Sequence, residues 1–545
     1  MKTLKLIKTY IPILLSSIVL ASCLDENPKS QITEGQAYGS ASAIYNNAVA
    51  TLYNYIGGKD DSQGLQGTYR GVYDYNTFTT DEAMLPTRGG DWYDGGFWQN
   101  LYLHRWTASD VPLYDTWNYL YKVIGICNNS LSIIETYSHK LSDKQKQEYA
   151  AEVRAVRAMF YYYLLDMFGR VPLYTDAGKS VDDMRQNSRS EVFRFVVDEL
   201  QEVSPLLSDG MSQKPGSYYG RITRPVAHFL LAKLALNAEI YSDDDWTDGN
   251  RPDGRDIRFN IDGQVMNAWD ATIHYCDLIK HAGYDLESDY EANFAVNNEN
   301  SGENIFTIPM DKTLYTQIFK NLFRSRHYNH GSAIGMDAEN GSCATLSTVR
   351  TFGYGTESVD SRYDSNFYSD LLYVDGNPVF LDDGEPLVYM PLAVKLDLTG
   401  DRYEKTAGAR MKKYEIDRTA YDDGKLQNND IVLFRYADAL LMKAEALVRN
   451  GKDGSAELNT VRSRAGMPQR EATLSNIIDE RLMELMWEGW RRQDLIRFGR
   501  FTSAYDQRQQ LPNEKTGYTI VFPIPSKVLA MNSNLTQNPV YDSVE

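Results

Sequence analysis

The sequence contains few cysteines: four among 545 residues. Cys127, Cys276 and Cys343 are widely spaced and form no Cys-x-x-Cys pair. Neither a disulfide framework nor a cysteine-based zinc site is therefore indicated. We expect these three side chains to be small buried hydrophobic groups, with one disulfide pair among them at most.

Positive charge is also in deficit. The chain has 56 Lys and Arg against 74 Asp and Glu, a formal net charge of -18 at pH 7. Such a surface repels nucleic acid, and no basic patch interleaved with aromatic residues offsets it, so no nucleic-acid partner is expected. The hydrophobic content of 42% is enough for a large core, and the mean hydropathy of -0.47 is that of a water-soluble protein.

The first 23 residues contain the one long apolar run, "MKTLKLIKTYIPILLSSIVLASC". Three early lysines and an apolar stretch from about 11 to 21 predict a secretory signal, too short and wrongly flanked for a spanning helix. Its end resembles a bacterial lipobox, which implies removal of residues 1–22 and lipidation of Cys23. The acidic "LDEN" that follows resembles the export signal of surface lipoproteins in Bacteroidetes. These resemblances imply a lipid anchor in the outer membrane that faces the cell exterior, with a tether at 23–34.

Catalytic signatures are missing. There is no nucleophile elbow, Walker loop or Gly-x-Gly-x-x-Gly motif. His327 and His330 have metal-ligand spacing but no third ligand nearby, so no metal site and no cofactor are expected. Carboxylates at 479, 480, 484 and 488 approach one helical face, where paired acids could catalyse hydrolysis. Arginines at 481, 491, 492 and 497 surround them, and ion pairing between helices is the favoured interpretation.

Helical periodicity dominates the remaining chain. It predicts helices at 144–169, 190–207, 223–242, 267–283, 431–451, 455–466 and 474–499. These resemble degenerate tetratricopeptide-like helix pairs without a clean 34-residue period. Two regions rich in Gly, Asp and aromatic residues, at about 57–112 and 285–430, interrupt them. We therefore predict a mainly α protein with minor β structure, a single domain over 35–545 that carries two loop-rich elaborations.

Five ordered motifs are similar to those of one family. They are "EVRAVRAMFYYYLLDMFGRVPLY" (152–174), "LFRYADALLMKAEAL" (433–447), "LNTVRSRAGMP" (458–468), "IIDERLMELMWEGWRRQDLIRFG" (477–499) and "FPIPSKVLAMNSNLTQNPVY" (522–541). On these motifs the chain is identified as a member of the SusD/RagB family of nutrient-binding lipoproteins. The resemblance implies a scaffold of about four tetratricopeptide-like helix pairs with long irregular loops. It also implies binding without catalysis, and a SusC-like TonB-dependent transporter as partner.

The stretch "DWYDGGFWQN" (91–100) raises the question of a ligand surface. A site for neutral sugars needs rigid aromatic rings flanked by planar polar groups, and the glycine-rich segment 79–100 has both. The residues alone fit equally a ligand platform and a loop packed on the scaffold. The resemblance adds that an aromatic arc follows a Thr-Asp-Glu element in the family's starch-binding type. The candidate contacts are Asp81, Arg88, Asp91, Trp92, Tyr93, Trp98 and Gln99.

A second wall is expected from the middle loops. Gly341 stands where the starch-binding type has a tryptophan, which puts starch in doubt more than glycan binding. Tyr328 and Asn329 are the candidates for this wall, although ordinary polar loop residues would look the same.

The leading function is thus capture of an oligo- or polysaccharide for the transporter. Peptide capture in the same scaffold, a surface glycoside hydrolase and a purely structural helical scaffold are the alternatives. Exposure of Trp92 and Trp98 beside a groove would favour glycan, and their burial beside a groove lined by backbone edges would favour peptide.

Overall fold

The computed structural model describes residues 34–58, 60–178, 183–314, 319–420 and 427–544. The signal peptide, Cys23 and the tether up to residue 33 lie outside the described residues. Cys127, Cys276 and Cys343 are buried free thiols, as expected.

Ten helices in the described ranges have seven or more residues, and all of them except Tyr328–Ile334 form the scaffold. The scaffold helices are α1 Val111–Thr136, α2 Asp143–Phe168, α3 Arg189–Val203, α4 Arg224–Leu236, α5 Ala268–His281, α6 Tyr436–Arg449, α7 Ser455–Arg464, α8 Leu474–Leu485 and α9 Arg491–Arg497. In sequence order α1 packs on α2 and α2 on α3, while α4 packs on α5 and α5 on α6; α6 also contacts α7 and α8. The mainly α prediction is confirmed.

Local sequence explains where two of these helices begin and end. α2 and α3 each begin with a capping box, Ser142 with Gln145 and Ser188 with Glu191, which satisfies N–H groups of the first turn. α2 ends at Gly169, whose φ of 68° suits glycine. α1 was not among the predicted helices, although its buried residues Leu113, Trp117, Leu120 and Ile124 recur at helical spacing.

Further helical segments of the described chain, none longer than seven residues, lie between the scaffold helices and at their ends. The α-helical ones are Glu34–Ala37, Ala41–Ile44, Thr51–Tyr53, Val72–Thr77, Phe97–Tyr102, Ala238–Tyr241, Asn321–Ser325, Tyr328–Ile334, Leu346–Thr351, Arg362–Asn366, Ser526–Met531 and Tyr541–Val544. A π-helical segment, Tyr45–Ala50, joins two of them, and single 3₁₀ turns such as Asp94–Gly96 and Tyr518–Ile520 occur in the loops. Six of the twelve α-helical pieces that the structure describes lie in the two elaborations, whose sequences are rich in glycine and aspartate.

Two predicted helices are wrong in part. The segment 431–435 is a strand, and only Tyr436–Arg449 is helical. The predicted helix 474–499 is broken into α8 and α9, because Trp487 takes a φ of 67° and Gly489 a φ of 76°. The break lets the backbone N–H of Trp487 donate to the carboxylate of Glu82, which ties the scaffold to the first elaboration.

Antiparallel two-stranded ladders join distant parts of the described chain. β1 Ala83–Met84 pairs with β5 Cys343–Ala344, and β4 Asn304–Ile308 pairs with β12 Ile431–Arg435. The others are β2 Arg258–Ile261 with β3 Gln264–Asn267, β6 Phe367–Tyr368 with β11 Arg410–Met411, β7 Asp370–Leu371 with β10 Val388–Tyr389, and β8 Tyr373–Val374 with β9 Asn377–Pro378. The β1–β5 ladder places the two elaborations side by side.

The segment from β7 to β10 has a small apolar cluster of its own. Leu372, Val379, Leu387 and Tyr389 are buried together there, apart from the main core. We call this segment, residues 370–389, the hairpin module.

The predicted ion pairing between helices is confirmed, with partners from further away than the sequence indicated. Glu484 is fully buried and receives Arg362 at 2.7 Å, Arg435 at 2.5 Å and also Arg464. Burial would raise the pKa of Glu484, but the three guanidinium groups hold it well below its usual range. A carboxylate held in this way braces the scaffold and is unavailable as a catalytic acid.

Candidate functional site

The loop before Trp92 turns tightly at two glycines. The backbones of Arg88 and Asp91 exchange hydrogen bonds of 3.0 and 3.2 Å around Gly89 and Gly90. Gly89 has a φ of 69°, and a Cβ there would lie 2.7 Å from a carboxylate oxygen of Glu404. The turn therefore requires glycine, and it fixes the direction in which the next residues leave the scaffold.

Arg88 is not exposed to a ligand, which corrects the sequence prediction. Its side chain is fully buried and donates to three backbone carbonyls: Gly341 at 3.3 Å, Glu404 at 3.0 Å and Ala407 at 2.9 Å. Burial lowers its pKa to about 9. Arg88 joins the first elaboration to the second because its guanidinium group satisfies buried carbonyls of the second elaboration.

Trp98 is also buried, contrary to the expectation that the glycine-rich loop leaves it exposed. Its exposed fraction is 0%, and its indole N–H donates to Asp94 at 2.8 Å. The rings of Phe78, Trp92 and Phe97 meet it edge to face. Because Phe97–Tyr102 is helical rather than loop, Trp98 turns inward and forms the base of the platform.

Gln99 and Asp81 support the loop as well. The amide of Gln99 donates to the carbonyls of Leu85 and Trp92 at 3.3 and 3.1 Å. Asp81 is mostly buried and forms a two-point ion pair with Arg491 at 2.7 and 2.8 Å. Both oxygens of this carboxylate already accept hydrogen bonds from Arg491. Asp81 was predicted to contact the ligand; in the structure it connects the first elaboration to α9.

Trp92 lies half-buried between the two elaborations. Its backbone has a φ of 62°, and its indole N–H donates to the carbonyl of Glu339 at 2.9 Å. A Cβ on Gly341 would lie 2.7 Å from the indole, so glycine is needed for the ring to pack there. The space beside Gly341 is thus occupied by the indole of Trp92, which belongs to the first elaboration.

The two predicted walls do meet. The hydroxyl of Tyr328 donates to Asp91 at 2.8 Å, and the ammonium group of Lys405 reaches the same carboxylate oxygen at 3.0 Å. Burial tends to raise the pKa of Asp91, but these two hydrogen bonds lower it overall. Burial and the contact with Asp91 raise the pKa of Tyr328 to about 12, so its hydroxyl stays protonated and keeps donating.

Aromatic exposure is concentrated at this junction. Among the described residues the aromatic side chains with more than about a third of their surface exposed are Tyr93 (60%), Tyr328 (41%), Tyr373 (57%) and Phe380 (50%). All four come from the elaborations, and we call them the aromatic rim. Asn329, which follows Tyr328, connects this part of the rim to the hairpin module that carries Tyr373 and Phe380. Its amide donates to the carbonyl of Phe380 at 3.1 Å and to the carboxylate of Asp382 at 2.8 Å.

An open groove of about 500 Å³ lies beside the rim. Asn329, Ser332 and Ala333 form one side, and residues 374–380 of the hairpin module form the other. Tyr373 and Phe380 were not predicted from the sequence. The signal that could have found them is Asp375-Gly376, a hairpin-turn dipeptide between two aromatic residues.

Neighbouring groups of the protein engage both histidines of this region. His327 accepts from the backbone N–H of Asn329, and a ring nitrogen of His330 lies 3.2 Å from the hydroxyl of Tyr389. Burial lowers their pKa values to about 4 and about 3. No group of three potential metal ligands occurs in the described part of the chain, and no helix there is long and apolar enough to cross a membrane.

Comparison with known proteins gives consistent matches along the chain. Residues 396–541 match the family described as "SusD family", and residues 24–236 match the one described as "Starch-binding associating with outer membrane". Together these segments contain more than half of the chain. The chain is 23% identical to the starch-binding protein SusD of Bacteroides thetaiotaomicron over 524 residues, which covers 89% of this chain and 88% of that protein. It is 24% identical to a SusD-like protein of Bacteroides ovatus, with 89% and 81% covered.

Solved structures show the same fold. A laminarin-binding SusD-like protein superposes with a TM-score of 0.67 at 19% identity and covers 92% of this chain and 100% of its own. Surface glycan-binding protein A from Bacteroides thetaiotaomicron, in complex with laminarihexaose, has a TM-score of 0.68 at 20% identity, with 91% and 99% covered.

Proposed function

Because this chain belongs to the SusD/RagB family, we propose that it is a cell-surface glycan-binding lipoprotein that captures an oligo- or polysaccharide. We further propose that it delivers the captured glycan to a SusC-like TonB-dependent transporter. Relatives that share the fold are described as binding starch, laminarin or other surface glycans, which supports the assignment of ligand class. The lipobox-like sequence before Cys23 supports an anchor in the outer membrane that leaves the protein facing the exterior.

Trp98 is buried and Trp92 half-buried, so the expected exposure of the two tryptophans does not support glycan binding. The observation that carries the proposal is the aromatic rim. Sugar rings have apolar C–H faces that pack on exposed aromatic rings, and their hydroxyl groups need planar donors and acceptors nearby. Tyr93 and Tyr328 offer the rings, while Asp91 and Asn329 supply polar groups within the same contact network. Several such weak contacts along a polymer add through effective concentration.

The site supports binding without bond cleavage. Cleavage by paired carboxylates requires two acids that face each other across a ligand space, about 5–10 Å apart. Asp91 at the rim is held by Tyr328 and Lys405, and Glu480 and Glu484 of α8 are buried in ion pairs. We therefore propose no enzymatic activity for this chain.

The test is retardation in native gels cast with a panel of neutral and acidic polysaccharides, with protein from residue 24 onward. Tyr93→Ala and Tyr328→Ala each remove an exposed ring, and Tyr328→Phe removes only the hydroxyl that holds Asp91. Met531→Ala is the matched control, because its side chain is 56% exposed but belongs to the C-terminal part of the scaffold.

Retardation by one polymer that Tyr93→Ala and Tyr328→Ala reduce and Met531→Ala leaves unchanged is the expected result. Retardation that none of the rim variants alters would refute the site. If no polymer retards the wild type while a peptide library is captured, the peptide-binding alternative takes the place of glycan capture.

A further inference from the structure

A second cavity, of about 340 Å³, lies on the scaffold away from the aromatic rim. It is bordered by the start of α3, by residues 240–251, by the end of α9 and by residues 499–520. None of the four rim residues lines it. Its volume is at the lower end of the range for small-molecule sites and suits a ligand of about one sugar ring.

Arg189 in the wall of this cavity forms no ion pair with any residue that the structure describes, although the charges of Asp166 and Asp243 act on it from a longer distance. It is 1% exposed, and its Nε and Nη1 atoms reach no hydrogen-bond acceptor. The guanidinium group lies over the rings of Tyr241 and Trp246, 5.7 and 5.1 Å from their centroids. Desolvation lowers its pKa to about 10, which leaves the group charged at neutral pH.

This arrangement differs from that of the other buried arginines of the scaffold. Arg435 and Arg497, for example, are each paired with two or more carboxylates at 2.5–2.8 Å. An unpaired charge in the interior is costly, so it is retained where something else neutralises it. Arg189 lines an accessible cavity, and a bound anion is the partner that would satisfy it.

Other hydrogen-bond donors and cationic groups at the cavity also favour an anionic ligand. The indole N–H of Trp246 is buried and has no acceptor within the described part of the chain. Arg251 makes two long contacts, 3.3 and 3.5 Å, to the carbonyls at the end of α9, and Lys515 is exposed at the cavity edge. Asp243 is the single carboxylate among the described lining residues, so three cationic side chains face one anionic one.

From this geometry we infer that the cavity binds a small hydroxylated carboxylate, of the chemical class of uronic acids. Arg189 offers two unpartnered N–H-bearing atoms, Nε and Nη1, to the oxygens of such a ligand, and the indole N–H of Trp246 adds a third donor. Asp243 accepts hydroxyl groups well and repels bare inorganic oxyanions, which favours a carboxylate that carries hydroxyls. The inference is independent of glycan capture at the rim, because the two sites share no residue.

The test is calorimetric titration of the protein from residue 24 onward with D-glucuronate and D-galacturonate at constant ionic strength. D-glucose is the neutral counterpart, and sodium sulfate is the bare oxyanion. Arg189→Met removes the unpaired cation. Arg194→Met is the matched control, because Arg194 is exposed on the same helix and its loss changes the net charge equally. Trp246→Phe keeps the ring and removes only the N–H.

We expect a uronate to bind, glucose not to bind and sulfate to bind at least about tenfold more weakly. Arg189→Met should weaken uronate binding about tenfold or more, as loss of a charge-assisted contact does, while Arg194→Met leaves it unchanged. If Arg189→Met does not fold, Trp246→Phe carries the test with a loss of severalfold. Binding of neither uronate, equal binding of sulfate, or equal losses in both arginine variants would overturn the inference, and Tyr93→Ala should leave uronate binding intact.

Discussion

Trp98 and Tyr93 lie five residues apart in one aromatic loop, and we predict that their truncation has opposite effects. Trp98→Ala removes a fully buried indole with three ring contacts and one hydrogen bond. Such a change costs about 3–5 kcal/mol of unfolding free energy. Roughly 500 ordered residues with an unfolding entropy of about 2.1 cal/mol/K each give about 1 kcal/mol/K, so the melting temperature should fall by about 3–5 °C.

Tyr93→Ala should leave the melting temperature within about 0.5 °C of the wild type, since 60% of this side chain is already exposed. It should instead weaken polysaccharide retention about 2- to 13-fold, the equivalent of about 0.5–1.5 kcal/mol for one aromatic contact. Scanning calorimetry gives the first quantity and affinity gels, run well below the transition, give the second. A stable Trp98→Ala variant that no longer binds polymer would refute the assignment of Trp98 to the core.

Three further predictions concern the junction, the scaffold and the buried histidines. Gly341→Ala should displace the indole of Trp92, weaken polysaccharide retention and cost about 1–3 kcal/mol, because the new Cβ would lie 2.7 Å from the ring; gels and calorimetry with unchanged values would contradict this. Glu484→Gln leaves buried guanidinium groups unpaired and should cost about 3–5 kcal/mol in denaturant titrations, whereas Glu202→Gln at an exposed ion pair should cost less than about 1 kcal/mol. Burial lowers the pKa of His330 in the folded protein to about 3, whereas in the unfolded chain it is about 6.5. Below about pH 6.5 the unfolded wild type therefore binds a proton that the folded wild type does not, and the free energy of unfolding of the wild type falls. The difference in unfolding free energy between wild type and His330→Gln, which lacks this proton, should thus decrease as pH falls from about 7.5 to about 4.5. A difference that stays constant in pH-dependent melting experiments would show that His330 titrates normally.

The long helices could be predicted because their signals are local. α2 runs from Asp143 to Phe168 within one residue of the expected limits, since a capping box and Gly169 mark its ends. The strand 431–435 could not be recognised, because its apolar residues continue into α6 and its partner strand, Asn304–Ile308, lies more than a hundred residues away. A continuous apolar run fits a buried strand and a buried helix equally well.

The candidate site residues were drawn from two segments, and the structure shows which of them lie at the surface and which are buried. The sequence placed Asp91, Tyr93 and Tyr328 in two segments that the structure does bring together. It could not tell that Trp98 turns inward, because that depends on rings at 78 and 92 that close over it in three dimensions. Arg88 looked like a ligand contact for the same reason: its backbone acceptors come from residues 341–407.

The hairpin module has a consequence for how such a protein can diversify. Its first and last strands, Asp370–Leu371 and Val388–Tyr389, pair with each other, so the chain enters and leaves it at one place. Its four buried apolar residues form a cluster separate from the main core. Insertions at the loop tips of such a segment add little closure entropy. Related proteins can therefore differ in the length and sequence of the hairpin module, which carries two of the four exposed rings, while the helical scaffold stays the same.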